Sequence, residues 1–243
     1  MAGFELLADH GLRIDGRRPN ELRKIRCKLG VFTQADGSAY IEQGNTKVLA
    51  AVYGPHEIRG SRANAIHNNA LINCQYSMAT FSTGERKRRP RGDRKSQEMT
   101  KHLKQTFEAV IKTELYPRSQ IDIFVEVLQA DGGNFCACVN AASLAVIDAG
   151  IPIKDYVCAC TAGFMQDTPL VDASDAETSN RIGVTIAILP RSEQIVLMEF
   201  CTPSDDDQMS KVLDAAIQGC KDIYQILNEA VRQHISKLNT DLE

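Results

Sequence analysis

Apolar residues change their spacing several times along this chain, and the order of those changes limits the possible folds. Residues 25–32, 38–42 and 46–53 are short strand-like runs. They are broken by Asp36-Gly37 and Gly44-Asn45, dipeptides that favour tight hairpin turns. Residues 71–78 predict a fourth strand, after an irregular polar stretch over 54–69. Then Met99, Leu103, Phe107, Val110, Ile111 and Leu115 recur at three and four, the period of a helix, with Asp93 or Ser96 as its cap and Pro117 as its stop. Ile121, Ile123, Val125 and Val127 read as alternating with polar residues, so a half-buried strand is expected next. A glycine-rich turn over 129–134 leads into a small-residue helix over 135–149, ended by Gly150 and Pro152. Residues 156–164, 182–189 and 194–199 read as strands. The last helix carries Met209, Val212, Leu213, Ala216, Cys220, Ile223, Leu227, Val231 and Ile235 on one face. Asp205, Asp206 and Asp207 fall in its first turn, where the helix dipole favours negative charge.

This order predicts an α+β fold of mixed and antiparallel sheets packed with helices. No low-complexity linker interrupts it, so one domain over residues 1–243 is expected, with a strand-rich half over 12–133 and a second half over 134–243. No run of 18 apolar residues occurs, and the first residues lack the apolar stretch of a secretory signal. A soluble, intracellular chain without a membrane partner is the expectation. Cys136/Cys138 and Cys158/Cys160 are two apart, unlike zinc-site spacing, and no His cluster accompanies them. Reduced thiols packed as small hydrophobes, with no metal, are therefore expected.

The net charge of −3 hides an asymmetry. Residues 1–95 hold 17 Lys/Arg against 9 Asp/Glu, and the remainder holds 11 against 22. The densest basic run contains Arg86, Lys87, Arg88, Arg89, Arg91, Arg94 and Lys95, with only Glu85 and Asp93 among them. Binding of a polyanion responds to the local field, so a whole-chain pI near 6.0 does not exclude nucleic acid. A solvated loop is the competing reading of the same run.

Several motifs resemble one family in order and spacing. They are Ile14-Asp15-Gly16-Arg17-Arg18, Gln34-Ala35-Asp36-Gly37-Ser38-Ala39, Gly44-Asn45-Thr46-Lys47 and Val52-Tyr53-Gly54-Pro55. Phe81-Ser82-Thr83-Gly84-Glu85-Arg86-Lys87, Leu128-Gln129-Ala130-Asp131-Gly132-Gly133 and Asp148-Ala149-Gly150-Ile151-Pro152 continue the series. Together they resemble exosome subunits of the ribonuclease PH family, from about residue 12 to at least residue 200. The resemblance implies the ribonuclease PH-like fold and a six-membered ring of such subunits. It implies RNA threading single-stranded, 3′ end first, through the centre. KH- and OB-type cap subunits, an attached hydrolytic nuclease, no cofactor, and a place in nucleus, nucleolus and cytoplasm belong to the same picture. The family reaction is attack of inorganic phosphate on the 3′-terminal phosphodiester, which needs an anion pocket and a proton donor.

The resemblance also allows a residue-by-residue test. Active members carry Ser/Thr and then a phosphate-clamping Arg after the two glycines. Here those positions are Asn134 and Phe135, and Phe offers neither charge nor donor. The catalytic Asp position falls on Gly183, and an earlier acidic position falls on Glu177. Asp175 and Glu177 read as solvated loop acids, with Glu177 alternatively a remnant of the site. Two RNA-facing arginines of archaeal relatives correspond to Asn73 and Gln75, whereas Arg94 is kept. Arg59 and Arg62 match a pore-side loop, and with residues 86–91, Arg94 and Lys95 they form the expected basic lining. A catalytically silent ring subunit with RNA contacts is thus predicted. An active phosphorolytic exoribonuclease and a purely structural assembly subunit stand as alternatives.

Overall fold

The computed structural model describes residues 11–58, 68–86, 92–165, 168–178, 183–200 and 206–241. Strands β1 (Ile25–Leu29), β2 (Gly37–Gln43) and β3 (Thr46–Glu57) form an antiparallel meander. Gln43 pairs with Thr46, so Gly44-Asn45 is a two-residue turn, and Gly44 has φ +61°. A Cβ at Gly44 would approach Arg23 Cδ to 2.7 Å, so both conformation and space require glycine there. Strand β4 (Leu71–Met78) runs parallel to β5 (Ser119–Gln129), and β5 pairs antiparallel with β3, giving the order β1-β2-β3-β5-β4.

Helix α1 (Arg94–Val110) starts at the Asp93 cap, whose side chain accepts from the Arg94 N–H. It stops earlier than the apolar spacing predicts. Ile111 leaves the helix to bridge Ile153, and Lys112 N–H donates to the Pro152 carbonyl. Leu115 lands in a 3-10 turn (Thr113–Leu115) with 60% of its surface exposed, outside the core that the periodicity assigned to it.

Helix α2 (Asn134–Asp148) touches β2, β3 and β5 of the first sheet and β6 and β8 of the second. Its small residues are buried on every side. At Gly37 a Cβ would lie 2.3 Å from the Ala145 carbonyl, so the sheet approaches this helix at glycine distance. The second sheet contains β6 (Cys158–Met165), β7 (Thr168–Val171), β8 (Gly183–Leu189) and β9 (Gln194–Phe200), in the order β7-β6-β8-β9 and wholly antiparallel. Strand β7 was not expected: it has four residues and includes Pro169, which an edge position tolerates. A one-turn helix α3 (Asp175–Thr178) succeeds it. Helix α4 (Asp206–Asp241) lays Val212, Ala216, Cys220, Ile223, Leu227 and Val231 on β6, β7, β8 and β1. Ile235 continues that stripe but is half exposed, because the helix outruns the body it packs on.

The buried residues of both sheets and of α1, α2 and α4 form one continuous apolar cluster. The seven described cysteines are all free, and all but Cys27 are buried. Burial pushes the Cys27 thiol up to about 11 and holds the Cys136 thiol well above its ordinary value. No helix among the described residues is long and apolar enough to cross a membrane.

Candidate nucleic-acid interface and the degenerate anion site

The glycine turn joins the C-terminal end of β5 to the start of α2. Gly132 and Gly133 both have left-handed backbones, at φ +80° and +62°. A Cβ at Gly132 would sit 2.6 Å from the Asp175 amide, and one at Gly133 would sit 2.8 Å from Arg23 Nη2. The turn is held from behind by one guanidinium. Arg23 donates to the carbonyls of Asp131 (2.7 Å) and Gly132 (3.2 Å). Thr46 Oγ1 donates to the Gly132 carbonyl at 2.9 Å, and Asn45 Nδ2 donates to the Asp131 carboxylate at 3.0 Å. Asp172 orients Arg23 through both carboxylate oxygens, at 3.0 and 2.7 Å, and accepts from Gln43 Nε2 at 2.8 Å. Burial opposes the charge on Asp172, but the Arg23 and Gln43 hydrogen bonds prevail and lower its pKa.

The turn therefore presents the start of α2 in a fixed position with no side chain capping it. Free N–H groups at a helix start can hold an anion. The first side chains of α2 do not complete a phosphate clamp. Phe135 is buried, with its ring edge-on to His102 of α1 at 6.1 Å between centroids. His102 Nδ1 lies 3.8 Å from Glu199 Oε2 on β9. An imidazole thus packs on Phe135, with a carboxylate on its other side. Asn134 Oδ1 is buried without a hydrogen-bond partner among the described residues. Gly183 opens β8 opposite Gly163 and supplies no acid.

Glu177 corrects the expectation of a solvated loop acid. It is buried, and Arg13, itself buried, grips it through Nε (2.8 Å to Oε1) and Nη2. Ser174 adds donations from its N–H and Oγ to Oε2, at 2.9 and 3.0 Å. Burial works against this carboxylate's charge, yet Arg13 and Ser174 draw its pKa down to about 2. A carboxylate so held is no proton donor near neutral pH, so Glu177 is a structural anchor rather than a remnant acid. Its partner lies 164 residues away, and nothing local in the sequence announces the pair. Asp175 is exposed, as expected.

Of the residues expected to meet RNA, the three that are described, Arg86, Arg94 and Lys95, are on the surface. Arg86 is exposed at the end of its described segment, and Arg94 and Lys95 open α1. The Arg94 side chain is 93% exposed and, among the described residues, pairs with Glu98 at 3.2 Å, one helical turn on. It stands roughly 12 Å along the helix axis from His102, so the structure does not bring it onto the turn. Arg59, Arg62, Lys87, Arg88, Arg89 and Arg91 lie outside the described residues. Asn73 of β4 donates to Asp122 at 3.1 Å and carries no charge toward a phosphate. Sequence reasoning missed the buried arginines Arg13 and Arg23, Asp172 and His102, all defined by partners distant in sequence.

Comparison with known proteins agrees with this architecture. Residues 21–152 match the model of the 3′ exoribonuclease family, domain 1, and residues 155–219 match domain 2 of the same family. Exosome complex component RRP41 of Homo sapiens is 62% identical over 236 residues, covering 97% of this chain and 96% of the relative. Exosome complex component Rrp41 of Pyrococcus horikoshii is 40% identical over 242 residues, covering 99% and 96%. Among solved structures, rice Rrp46 superposes with a TM-score of 0.81 at 24% identity, covering 90% of this chain and 100% of that one. A chain of the Archaeoglobus fulgidus exosome, with RNA bound to the active site, reaches 0.76 at 21% identity, covering 89% and 92%. With two consecutive family models spanning its sheets and helices and relatives that match it nearly end to end, this chain belongs to the 3′ exoribonuclease family.

Proposed function

We propose that this chain is a ring subunit of an RNA exosome, supporting 3′-to-5′ RNA processing and degradation without performing the chemistry itself. The observation that carries this reading is Phe135, buried edge-on to His102 where the family's clamp arginine belongs. Glycine at 183 and the locking of Glu177 by Arg13 support it, since neither of those two positions offers a proton donor. The chain's part is to complete a six-membered ring with other ribonuclease PH-like subunits and to contribute positive charge to the RNA path. Arg59, Arg62, Arg86, Lys87, Arg88, Arg89, Arg91, Arg94 and Lys95 are the residues assigned to that contact. The names of the relatives support the place in an exosome. KH- and OB-type caps, an attached hydrolytic nuclease, and residence in nucleus, nucleolus and cytoplasm are added to the proposal from the family resemblance alone.

A second reading, phosphorolysis completed by a neighbour's groups, is favoured by one observation: the Asp131–Gly133 turn keeps its shape and leaves the start of α2 uncapped. Ultraviolet crosslinking of single-stranded RNA to the assembled ring tests the RNA contact. Adducts within the peptide holding Arg86, Arg94 and Lys95 are expected. A ring that crosslinks RNA on other subunits only would leave this chain a purely structural member.

A further inference from the structure

Phe81 is the most exposed large hydrophobic side chain of the described residues, with 71% of its surface open. It is not on a loose loop. The Ala79 N–H donates to the Val127 carbonyl at 2.9 Å, extending the parallel β4–β5 ladder by one step. Ser82 N–H closes a turn onto the Ala79 carbonyl at 3.0 Å, and Ala130 N–H donates to the Ser82 carbonyl at 2.9 Å. Ser82 itself is buried, and Thr83 Oγ1 donates to the Glu85 carbonyl at 2.7 Å. The backbone on both sides of Phe81 is thus fixed while its ring faces solvent. Holding an aromatic ring outward on a pinned turn gains nothing for the fold, because burial is what makes such a ring stabilising.

Its position gives it a use. Strands β4 and β5 are adjacent and parallel, so their C-terminal ends lie at the same edge of the sheet. Phe81 comes after β4 there, and the Asp131–Gly133 turn comes after β5, with the Ala130–Ser82 hydrogen bond joining the two. Five residues beyond Phe81, within the same described segment, stands exposed Arg86. An open aromatic face beside backbone-binding charge is the chemistry that holds single-stranded nucleic acid. Cations take the phosphates while the ring stacks a base, whatever its identity.

We infer that Phe81 is a stacking platform for a base of single-stranded RNA at the sheet edge that also carries the glycine turn. The inference presupposes the RNA contact proposed above, and the test separates the two. Phe81→Ala and Phe81→Trp are made in the full chain assembled with its ring neighbours. Affinity for an oligoadenylate is compared with affinity for an abasic ribose-phosphate chain of equal length, each across a salt series. Phe81→Ala should weaken oligoadenylate binding about 10-fold and leave the abasic chain unaffected. The salt slope should not change, because no phosphate contact is lost, and Phe81→Trp should bind as wild type or tighter. A 2-aminopurine placed in the RNA should lose its stacking-induced quenching with Phe81→Ala and keep it with Phe81→Trp. Equal affinity of wild type and Phe81→Ala for oligoadenylate overturns the stacking role while leaving the basic contact standing. Disassembly of the ring by Phe81→Ala also overturns it, by making Phe81 a subunit contact. A wild-type ring to which neither RNA binds through this chain removes both proposals together.

Discussion

At the scale of single residues, the region around the glycine turn is held together by two buried ion pairs. Arg23 and Asp172 hold the turn, and Arg13 and Glu177 hold the segment after β7. Removing one member of such a pair strands a buried charge, so Asp172→Ala should cost about 3–5 kcal/mol in denaturant unfolding. Glu177 makes a further prediction about pH. Its folded pKa, about 2, lies below its ordinary value, so the pair stabilises the fold above about pH 5 and that contribution disappears as pH falls toward 2. The loss is on the order of 3 kcal/mol. Glu177→Gln should flatten the stability profile over that acidic window and leave its shape above pH 6 unchanged. None of this was legible in the sequence, because each pair joins residues roughly 150 positions apart. The apolar residue at 135 was legible, since it follows a recognisable glycine motif, but its burial against His102 was not. Phe135→Arg and Gly183→Asp, made singly, should each fail to create phosphate-dependent turnover, because clamp and acid act as a unit. Turnover from either single variant in a nucleoside diphosphate release assay would contradict this.

At the scale of elements, local periodicity located most strands and helices, because burial of one face is what selects the period. The misses have specific causes. β7 is too short, and contains a proline, so no alternation could mark it. α1 ends at Val110 because Ile111 is taken by a bridge to Ile153, a tertiary contact that overrides the helical spacing up to Leu115. The alternation over β5 is honoured by Ile121, Ile123, Val125 and Val127, yet Gln120 and Asp122 on the other face are buried too. They satisfy each other at 2.6 Å, with Asn73 as a further donor to Asp122. Packing distinguishes two apolar residues that look alike in sequence. Leu144 on α2 is fully buried between the sheets, so Leu144→Ala should cost about 2–5 kcal/mol. Ile235, on the overrun of α4, is half exposed, and Ile235→Ala should stay within about 0.5 kcal/mol. Urea unfolding of both variants checks the contrast, and equal losses would mean that α4 is covered along its whole length.

At the scale of the whole molecule, charge and edges both point outward to partners. β9 is one of the two edge strands of the second sheet, unpaired on its outer side among the described residues. It carries Ile195, Met198 and Phe200 with substantial exposure, an arrangement that isolated proteins avoid. A tight heterodimer with another ribonuclease PH-like chain is the expected state in light scattering, rather than a monodisperse monomer at micromolar concentration. The basic run should act on RNA through phosphates. Changing Arg86, Arg88, Arg89 and Arg91 to Glu in an intact ring should weaken all RNA sequences alike. Each lost contact should flatten the slope of log affinity against log salt by about 0.7. An unchanged slope would return the run to a solvated loop.

Phosphate dependence separates a subunit that only supports RNA turnover from one that catalyses it. The wild-type chain, purified with its ribonuclease PH-like neighbour, is incubated with single-stranded RNA at increasing inorganic phosphate, and released nucleoside diphosphates are quantified. The expected result is bound RNA and no phosphate-dependent diphosphate. Diphosphate release that rises with phosphate and is abolished by substitutions in this chain around Gly132 and Asn134 would contradict it.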